Sequence, residues 1–161
     1  MKDSQTIKYP YARLTGMTRF MEILQTDSDW KPDVINIELL KTLGIAPSKE
    51  RETVYTLKFL GIIGDDDAPT EEFDNLRRDY QGTMKRLVSE KYRELFRQIP
   101  SRMISQAPLV RFFGLAADTS EYQAKLFAWL CEQAGIELPN LEKQFHRARF
   151  DKPNINFMSA N

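Results

Sequence analysis

The stretch Ser48–Phe73, SKERETVYTLKFLGIIGDDDAPTEEF, decides the fold that we predict for this chain. Its apolar residues recur at helical spacing as far as Gly61, a residue type that commonly ends helices in the left-handed region. Two isoleucines then predict a short apolar strand, and an acidic turn follows at 64–69. Thr70 is expected to cap the next helix. A helix, a short strand and a turn in this order outline the second half of a winged helix-turn-helix.

Two shorter helices are predicted before this stretch. The first runs from Met17 to about Gln25, with Thr15 as its cap. The second runs from Asn36, its cap, to Leu43, and glycine at the next position ends it. The turn then leads into Ser48, whose hydroxyl is expected to cap the third helix. Two helices joined by a tight turn that contains glycine favour a helix-turn-helix geometry.

The remaining predicted elements are all helices. The longest runs from Thr83 to Ile99 and is stopped by proline, and two more follow at Ala107–Leu115 and Thr119–Ala134. The predicted fold class is therefore mainly α: a winged helix-turn-helix-like N-terminal lobe with a minimal β-wing, followed by a C-terminal helical lobe. The predicted boundaries of the two lobes and of a C-terminal tail are 1–80, 81–136 and 137–161.

The charge of the chain is balanced, which restricts how it could bind nucleic acid. Its 161 residues include 23 Lys or Arg and 23 Asp or Glu, so the formal net charge at pH 7 is zero. Residues 36–70 hold 4 basic and 6 acidic side chains, whereas residues 71–103 hold 8 basic and 6 acidic ones. A nucleic-acid footprint must therefore be a local patch, and the positive excess lies after the predicted wing.

Other features of the composition predict a cytoplasmic protein without an active site. The single cysteine, Cys131, permits no intramolecular disulfide and no multi-cysteine metal site. No apolar run reaches the roughly 18 residues of a membrane span, and the first residues lack the apolar core of a signal peptide. His146 is the only histidine, and no glycine-rich phosphate loop occurs. The consecutive aspartates at 65–67 lack the spacing of a calcium loop, so we predict neither metal nor cofactor.

Several short motifs carry a family resemblance. They are Tyr9-Pro10-Tyr11 near the start, the pattern V-x-x-L-K-F-L-G at 54–61, Pro69-Thr70 and Leu76-Arg77. With these motifs the chain resembles an uncharacterised prokaryotic domain family of unknown function, whose members look like winged-helix proteins with a helical C-terminal part. The resemblance covers roughly residues 9–135. It implies a fold but no activity, because the family has no catalytic motif to transfer.

The first functional hypothesis places the third helix in the major groove of double-stranded DNA. The side chains expected to reach bases or phosphates from that helix are Lys49, Arg51, Thr53 and Thr56. Arginines on the long helix after the wing are expected to hold phosphates, namely Arg86, Arg93 and Arg97. The C-terminal helices would then form a homodimer, which pairs two recognition helices.

The second hypothesis is a protein-interaction adaptor that keeps a winged-helix fold without binding DNA. Glu50 and Glu52 alternate with the basic residues of the third helix, and three aspartates at the wing tip would be repelled by phosphates. Glu90 is spaced for intrahelical pairs with Arg86 and Arg93, which would leave these arginines on an ordinary solvated face. Partner chains would then contact the acidic wing, the aromatic N-terminal arm that contains Tyr9 and Tyr11, and a tail. The tail contains Phe145, Phe150 and Phe157.

Overall fold

The computed structural model describes residues 7–115 and 117–141, and it confirms that the chain is mainly helical. The α-helices, in chain order, are α1 (Leu14–Thr26), α2 (Ile37–Leu43), α3 (Glu50–Leu60), α4 (Glu71–Arg78), α5 (Tyr80–Lys91), α6 (Arg93–Gln98), α7 (Gln106–Phe113) and α8 (Ala117–Ala134). A 3₁₀ turn, Ser101–Met103, connects α6 to α7. None of the described helices is long and apolar enough to cross a membrane.

α1 buries the face that its apolar spacing predicts. Its inward side chains have almost no exposed surface, and they are Met17, Phe20, Met21 and Leu24. The start of the helix differs from the prediction, because α1 begins at Leu14 and Thr15 does not cap it. Arg13 occupies the N-cap position, and its side chain makes no capping hydrogen bond.

α2 begins and ends as the sequence predicts, whereas α3 does not begin as predicted. The side chain of Asn36 accepts a hydrogen bond from the Leu39 amide at 3.0 Å, and Gly44 has a φ of 69°. Ser48 does not cap α3. It adopts a φ of 71°, and its own amide donates to the Glu50 carboxylate at 3.2 Å. Ser48 therefore belongs to the turn between the two helices.

The predicted β-wing is reduced to a turn closed by one bridge. In the described residues no strand forms, and the bridge pairs Ile63 with Pro69 in antiparallel orientation. The Gly64 amide donates to the Ala68 carbonyl at 2.9 Å, so the chain reverses immediately. The Ile62 and Ile63 amides donate to the Leu57 carbonyl at the end of α3, at 2.9 and 3.4 Å, which explains why the two isoleucines do not extend the bridge into a strand.

The helix predicted from Thr83 to Ile99 is divided into two. α5 begins earlier, because the Asp79 side chain accepts a hydrogen bond from the Gly82 amide at 3.1 Å. It ends at Lys91, and Tyr92 has a non-helical φ of −108° and ψ of 24° before α6 begins. The Tyr92 ring is completely buried. The buried face continues across the break, because Leu87 on α5 and Leu95 on α6 are buried as well.

One continuous core joins the helices on both sides of the wing. α8 packs on α5 and α7, and α5 also contacts α3 and α4. The aromatic arm contributes Tyr9, whose ring stacks on Tyr92 at 5.3 Å between centroids and meets the edge of Phe59 at 5.8 Å. Gln123 on α8 donates to the Tyr9 carbonyl at 2.9 Å. The N-terminal arm is therefore held on the core.

The predicted C-terminal tail is described only in its first part. Leu138 and Leu141 are buried in the core, and Asn140 donates a hydrogen bond to the Arg102 carbonyl at 2.8 Å. This part of the tail therefore docks on the core beside the 3₁₀ turn. The hypotheses about His146 and about the phenylalanines of the tail lie outside the described residues.

Candidate nucleic-acid interface

α3 presents a narrow exposed face because most of its circumference packs on its neighbours. Val54, Leu57 and Leu60 enter the core as their spacing predicts. α1 approaches closely on the same side, since a Cβ added at Gly16 would lie 2.6 Å from the Ala46 Cβ of the turn before α3. The outward face of α3 is left with Arg51 and Tyr55 as its exposed residues.

Thr53 and Thr56 lie on the buried side of α3 and not on the face expected to bind DNA. Both have 0% of their surface exposed. The Thr56 hydroxyl donates to the Glu52 carbonyl at 2.8 Å, and the Thr53 hydroxyl approaches the Lys49 carbonyl at 3.5 Å. Threonine can enter a core in this way because its hydroxyl is satisfied by its own helix. These two residues therefore cannot reach a ligand from the folded α3.

The two cations expected to bind DNA from α3, Arg51 and Lys49, differ in their exposure. Arg51 is exposed, and within the described residues it makes no hydrogen bond or ion pair. Lys49 is half-buried and lines a cleft at the start of the helix. Tyr55 lies one turn after Arg51, and its hydroxyl donates to the Lys8 carbonyl of the N-terminal arm at 2.5 Å. Burial raises the pKa of the Tyr55 phenol.

The three arginines expected to hold phosphates do not form one helix face. Arg86 lies on α5, whereas Arg93 and Arg97 lie on α6 beyond the break at Tyr92. Arg86 binds Glu72 through two hydrogen bonds of 3.0 and 2.5 Å, which lower the pKa of that carboxyl. Hydrogen bonds from Arg97 likewise lower the pKa of Glu94. Only Arg93 is both exposed and unpaired among these three in the described structure.

Two of the three aspartates in the acidic turn of the wing make contacts within the fold. The Asp67 carboxylate lies 2.9 Å from the Lys58 ammonium, and the Asp66 side chain accepts a hydrogen bond from the Ala68 amide at 3.0 Å. Asp65 and Asp66 are exposed. Across residues 7–115 and 117–141, no group of three His, Cys, Asp or Glu side chains is placed to hold a metal ion.

A cleft of about 500 Å³ lies where the start of α1, the turn before α3 and one face of α8 meet; we call it the basic cleft. The residues that line it are Ala12, Arg13, Leu14, Thr15, Ala46, Pro47, Lys49, Tyr122 and Lys125. Three of these side chains are cationic and none is a carboxylate. The Arg13 guanidinium carbon lies 3.9 Å from the centre of the Tyr122 ring, and the Lys125 ammonium lies 5.6 Å from it.

Sequence reasoning missed two of the three cations of the basic cleft. Arg13 and Lys125 lie near opposite ends of the described chain and belong to no shared motif. Only the packing of α8 on α1 brings them to one ring. Basic residues at the start of one helix and on the exposed side of another are common, so no local signal in the sequence distinguishes this pair.

Comparison with known proteins identifies the family of the chain. The model of a family of unknown function, DUF5343, matches residues 10–137. The chain belongs to this family. The match confirms the resemblance to an uncharacterised domain, and no curated protein and no solved structure matches the chain.

The DUF5343 match includes all eight described helices and every residue of the basic cleft. It also includes the whole of α3 and the arginines of α5 and α6. Tyr9 and Lys8, which contact α3 and the core from the arm, precede the matched range. The family description assigns no activity, so function must be argued from the side chains themselves.

Proposed function

We propose that this chain is a non-catalytic, cytoplasmic DNA-binding regulator of winged helix-turn-helix type, in which α3 enters the major groove. The observation that carries the proposal is Arg51, an exposed arginine with no hydrogen bond or ion pair in the described residues, on the outward face of α3. A guanidinium without a carboxylate partner can bind a phosphate or the edge of guanine through two parallel hydrogen bonds. Tyr55, on the same face, adds an aromatic surface beside it.

The order and attachment of the elements support the winged-helix part of the proposal. α2 and α3 are joined by a tight turn, and a hairpin-like turn follows α3 directly. The extended segment before α2 is attached to that turn, because the Ile35 amide donates to the Asp67 carbonyl at 2.7 Å. Such an arrangement is expected of a winged helix whose sheet has shrunk to a single bridge.

Phosphate contacts would come from cations that are not already neutralised. Lys49 at the start of α3 and Arg93 on α6 have no carboxylate partner in the described part of the chain. Arg86 and Arg97 could contribute only by exchanging Glu72 and Glu94 for phosphate oxygens. A homodimer would strengthen binding, because two copies of α3 could then occupy half-sites one helical turn apart.

The proposal is tested by fluorescence anisotropy with a mixed-sequence DNA duplex over a series of salt concentrations. We expect the affinity to fall steeply with salt, as counterion release requires. Arg51→Gln should weaken binding by roughly threefold to tenfold and reduce the salt slope by about one unit. The matched control is Arg111→Gln, which removes an exposed and unpaired arginine from α7. Equal affinity of wild type and Arg51→Gln would remove this face from the interface.

A protein-interaction adaptor is the second candidate, and the wing favours it. Asp65 and Asp66 are exposed at the tip of the turn, where a wing that lies on DNA would meet phosphates. Val34, an exposed apolar residue with 42% of its surface accessible, precedes the segment that binds this turn. Absence of duplex binding at low salt, together with a stable complex with another protein, would establish the adaptor.

A further inference from the structure

The basic cleft carries positive charge, and none of its three cationic side chains forms an ion pair within the described residues. Arg13, Lys49 and Lys125 line it, and no aspartate or glutamate does. The carboxylate that follows Lys49 in sequence, Glu50, is buried and accepts a hydrogen bond from the Ser48 amide. Like charges that share a concave surface repel each other unless an anion joins them. We propose that the basic cleft binds a small phosphorylated ligand, whether or not the chain also binds DNA.

Arg13 is held in a position suited to a phosphate. Its guanidinium carbon lies over the Tyr122 ring at 3.9 Å from the ring centre, and this contact limits the rotation of a long side chain. A cation–π contact with one ring leaves N–H groups of the guanidinium available to another partner. Within the described residues these groups make no hydrogen bond or ion pair. Such a fork can bind two phosphate oxygens at once.

The main chain at the start of α1 adds donors to the same cleft. The amides of Leu14, Thr15 and Gly16 donate no hydrogen bond within the described residues, since the first intrahelical bond runs from the Met17 amide to the Arg13 carbonyl. Leu14 and Thr15 line the cleft. The first amides of a helix carry partial positive charge and favour an anion. They act here together with three cationic side chains.

The cleft has room for a ligand larger than a phosphate ion. Small-molecule sites typically have volumes of roughly 300–1,000 Å³, and the basic cleft, at about 500 Å³, falls in this range. Apolar atoms of Ala46 and Pro47 form part of the wall. The ligand class that fits is therefore a phosphate group attached to a small organic body, such as a sugar phosphate.

The test compares two probes that differ only in the phosphate, ribose 5-phosphate and ribose, by isothermal titration calorimetry on the full chain at low ionic strength. We expect saturable binding of ribose 5-phosphate with a dissociation constant below about 1 mM and no binding of ribose. Lys125→Gln and Arg13→Gln should each weaken binding by about tenfold or more, because each removes a charge-assisted hydrogen bond. Lys85→Gln, a matched change at an exposed lysine of α5 away from the cleft, should leave the affinity unchanged.

Thermal melting of each variant shows whether lost binding reflects lost folding. Lys125 is exposed and contacts only the Tyr122 ring among the described residues, so Lys125→Gln should melt like the parent. Absence of saturable binding by ribose 5-phosphate, or unchanged affinity in Lys125→Gln, overturns the proposal. Loss of duplex binding in Lys125→Gln without binding of ribose 5-phosphate also overturns it, and assigns the cleft to backbone phosphates of DNA. Arg51 does not line the cleft, so the Arg51→Gln result tests the DNA proposal separately.

Discussion

The guanidinium of Arg77 on α4 donates a hydrogen bond to the main-chain carbonyl of Asp27 at 2.7 Å, just beyond the end of α1. The same side chain donates to the carbonyls of Leu24, at 3.0 Å, and of Trp30, and it lies over the Phe73 ring. One arginine thus satisfies the carbonyls left over where α1 ends and its connecting loop begins. Arg77, one of the basic residues of the segment 71–103, therefore has a structural role and is not available to a ligand.

Replacing Arg77 should destabilise the chain more than any neighbouring surface change. We expect Arg77→Lys to lower the free energy of unfolding by about 3 kcal/mol, because an ammonium cannot reach three carbonyls and leaves partly buried acceptors unpaired. Urea denaturation measures the effect. Arg78→Lys is the matched control, since Arg78 is exposed and binds only Asn75, and it should change stability by less than about 0.5 kcal/mol. Equal losses of unfolding free energy in both variants would show that the three hydrogen bonds of Arg77 do not stabilise the fold.

Gly16→Ala should destabilise the chain although alanine is the better helix former. The new Cβ would lie 2.6 Å from the Ala46 Cβ, so α1 must move away from the turn before α3. We expect the free energy of unfolding to fall by roughly 1–3 kcal/mol, more than the gain of about 1 kcal/mol in helix propensity. Thr18→Ala, at an exposed position of the same helix, is the control and should be neutral or stabilising. A Gly16→Ala protein more stable than the parent would show that the two segments are not in close contact.

The Thr70 hydroxyl joins α3 to α4. It accepts a hydrogen bond from the Glu72 amide at 3.2 Å and donates to the Gly61 carbonyl at 2.6 Å. Thr70→Val keeps the shape but loses both bonds, and we expect a loss of about 1–2 kcal/mol in the free energy of unfolding. Thr70→Ser retains the hydroxyl and should recover most of it. If serine is as destabilising as valine, the lost methyl packing, and not the hydrogen bonds, determines the effect.

The pair between Arg86 and Glu72 should make stability depend on pH in the acid range. The hydrogen bond from Arg86 lowers the pKa of Glu72 below its ordinary value of 4.5. A carboxyl with a lowered folded-state pKa contributes stability that is present above its unfolded pKa and is lost as pH falls through the folded pKa. Glu72→Gln should therefore have a lower free energy of unfolding than the wild type at about pH 5, and this difference should shrink as the pH falls to about 3. A gap that stays constant over this range would show that the pair contributes nothing.

The sequence predicts the helices better than it predicts the residues that meet a ligand. Spacing alone identifies the buried face of α3 through Leu57 and Leu60, because burial of apolar side chains determines where a helix packs. The same reasoning misplaces Thr53 and Thr56, since a hydroxyl bonded to its own helix costs little to bury. It also misses the break at Tyr92, whose ring is fixed by contacts with Tyr9 and other distant aromatics.

Clusters formed by tertiary packing have no local signature. Arg13 and Lys125 become a pair only when α8 lies against α1, and a single sequence contains no record of that contact. Ion pairing is similarly hidden, because the spacing in the sequence offers Glu90 as the partner of Arg86, whereas the fold pairs Arg86 with Glu72, fourteen positions earlier. The charge available to a ligand is therefore a property of the folded surface and not of the count of basic residues.

Releasing Arg86 should increase affinity for DNA if α5 lies beside the duplex. Glu72→Gln removes the carboxylate that holds the guanidinium with two hydrogen bonds, so Arg86 becomes available to a phosphate. We expect tighter duplex binding and a salt slope steeper by about one unit in the anisotropy experiment. Glu90→Gln is the matched control, because it removes the same charge near Arg86 but leaves the pair intact. A larger gain in duplex affinity for Glu72→Gln than for Glu90→Gln would place Arg86 at the interface. Equal gains in affinity would reflect only the change in net charge and would exclude Arg86 from the interface.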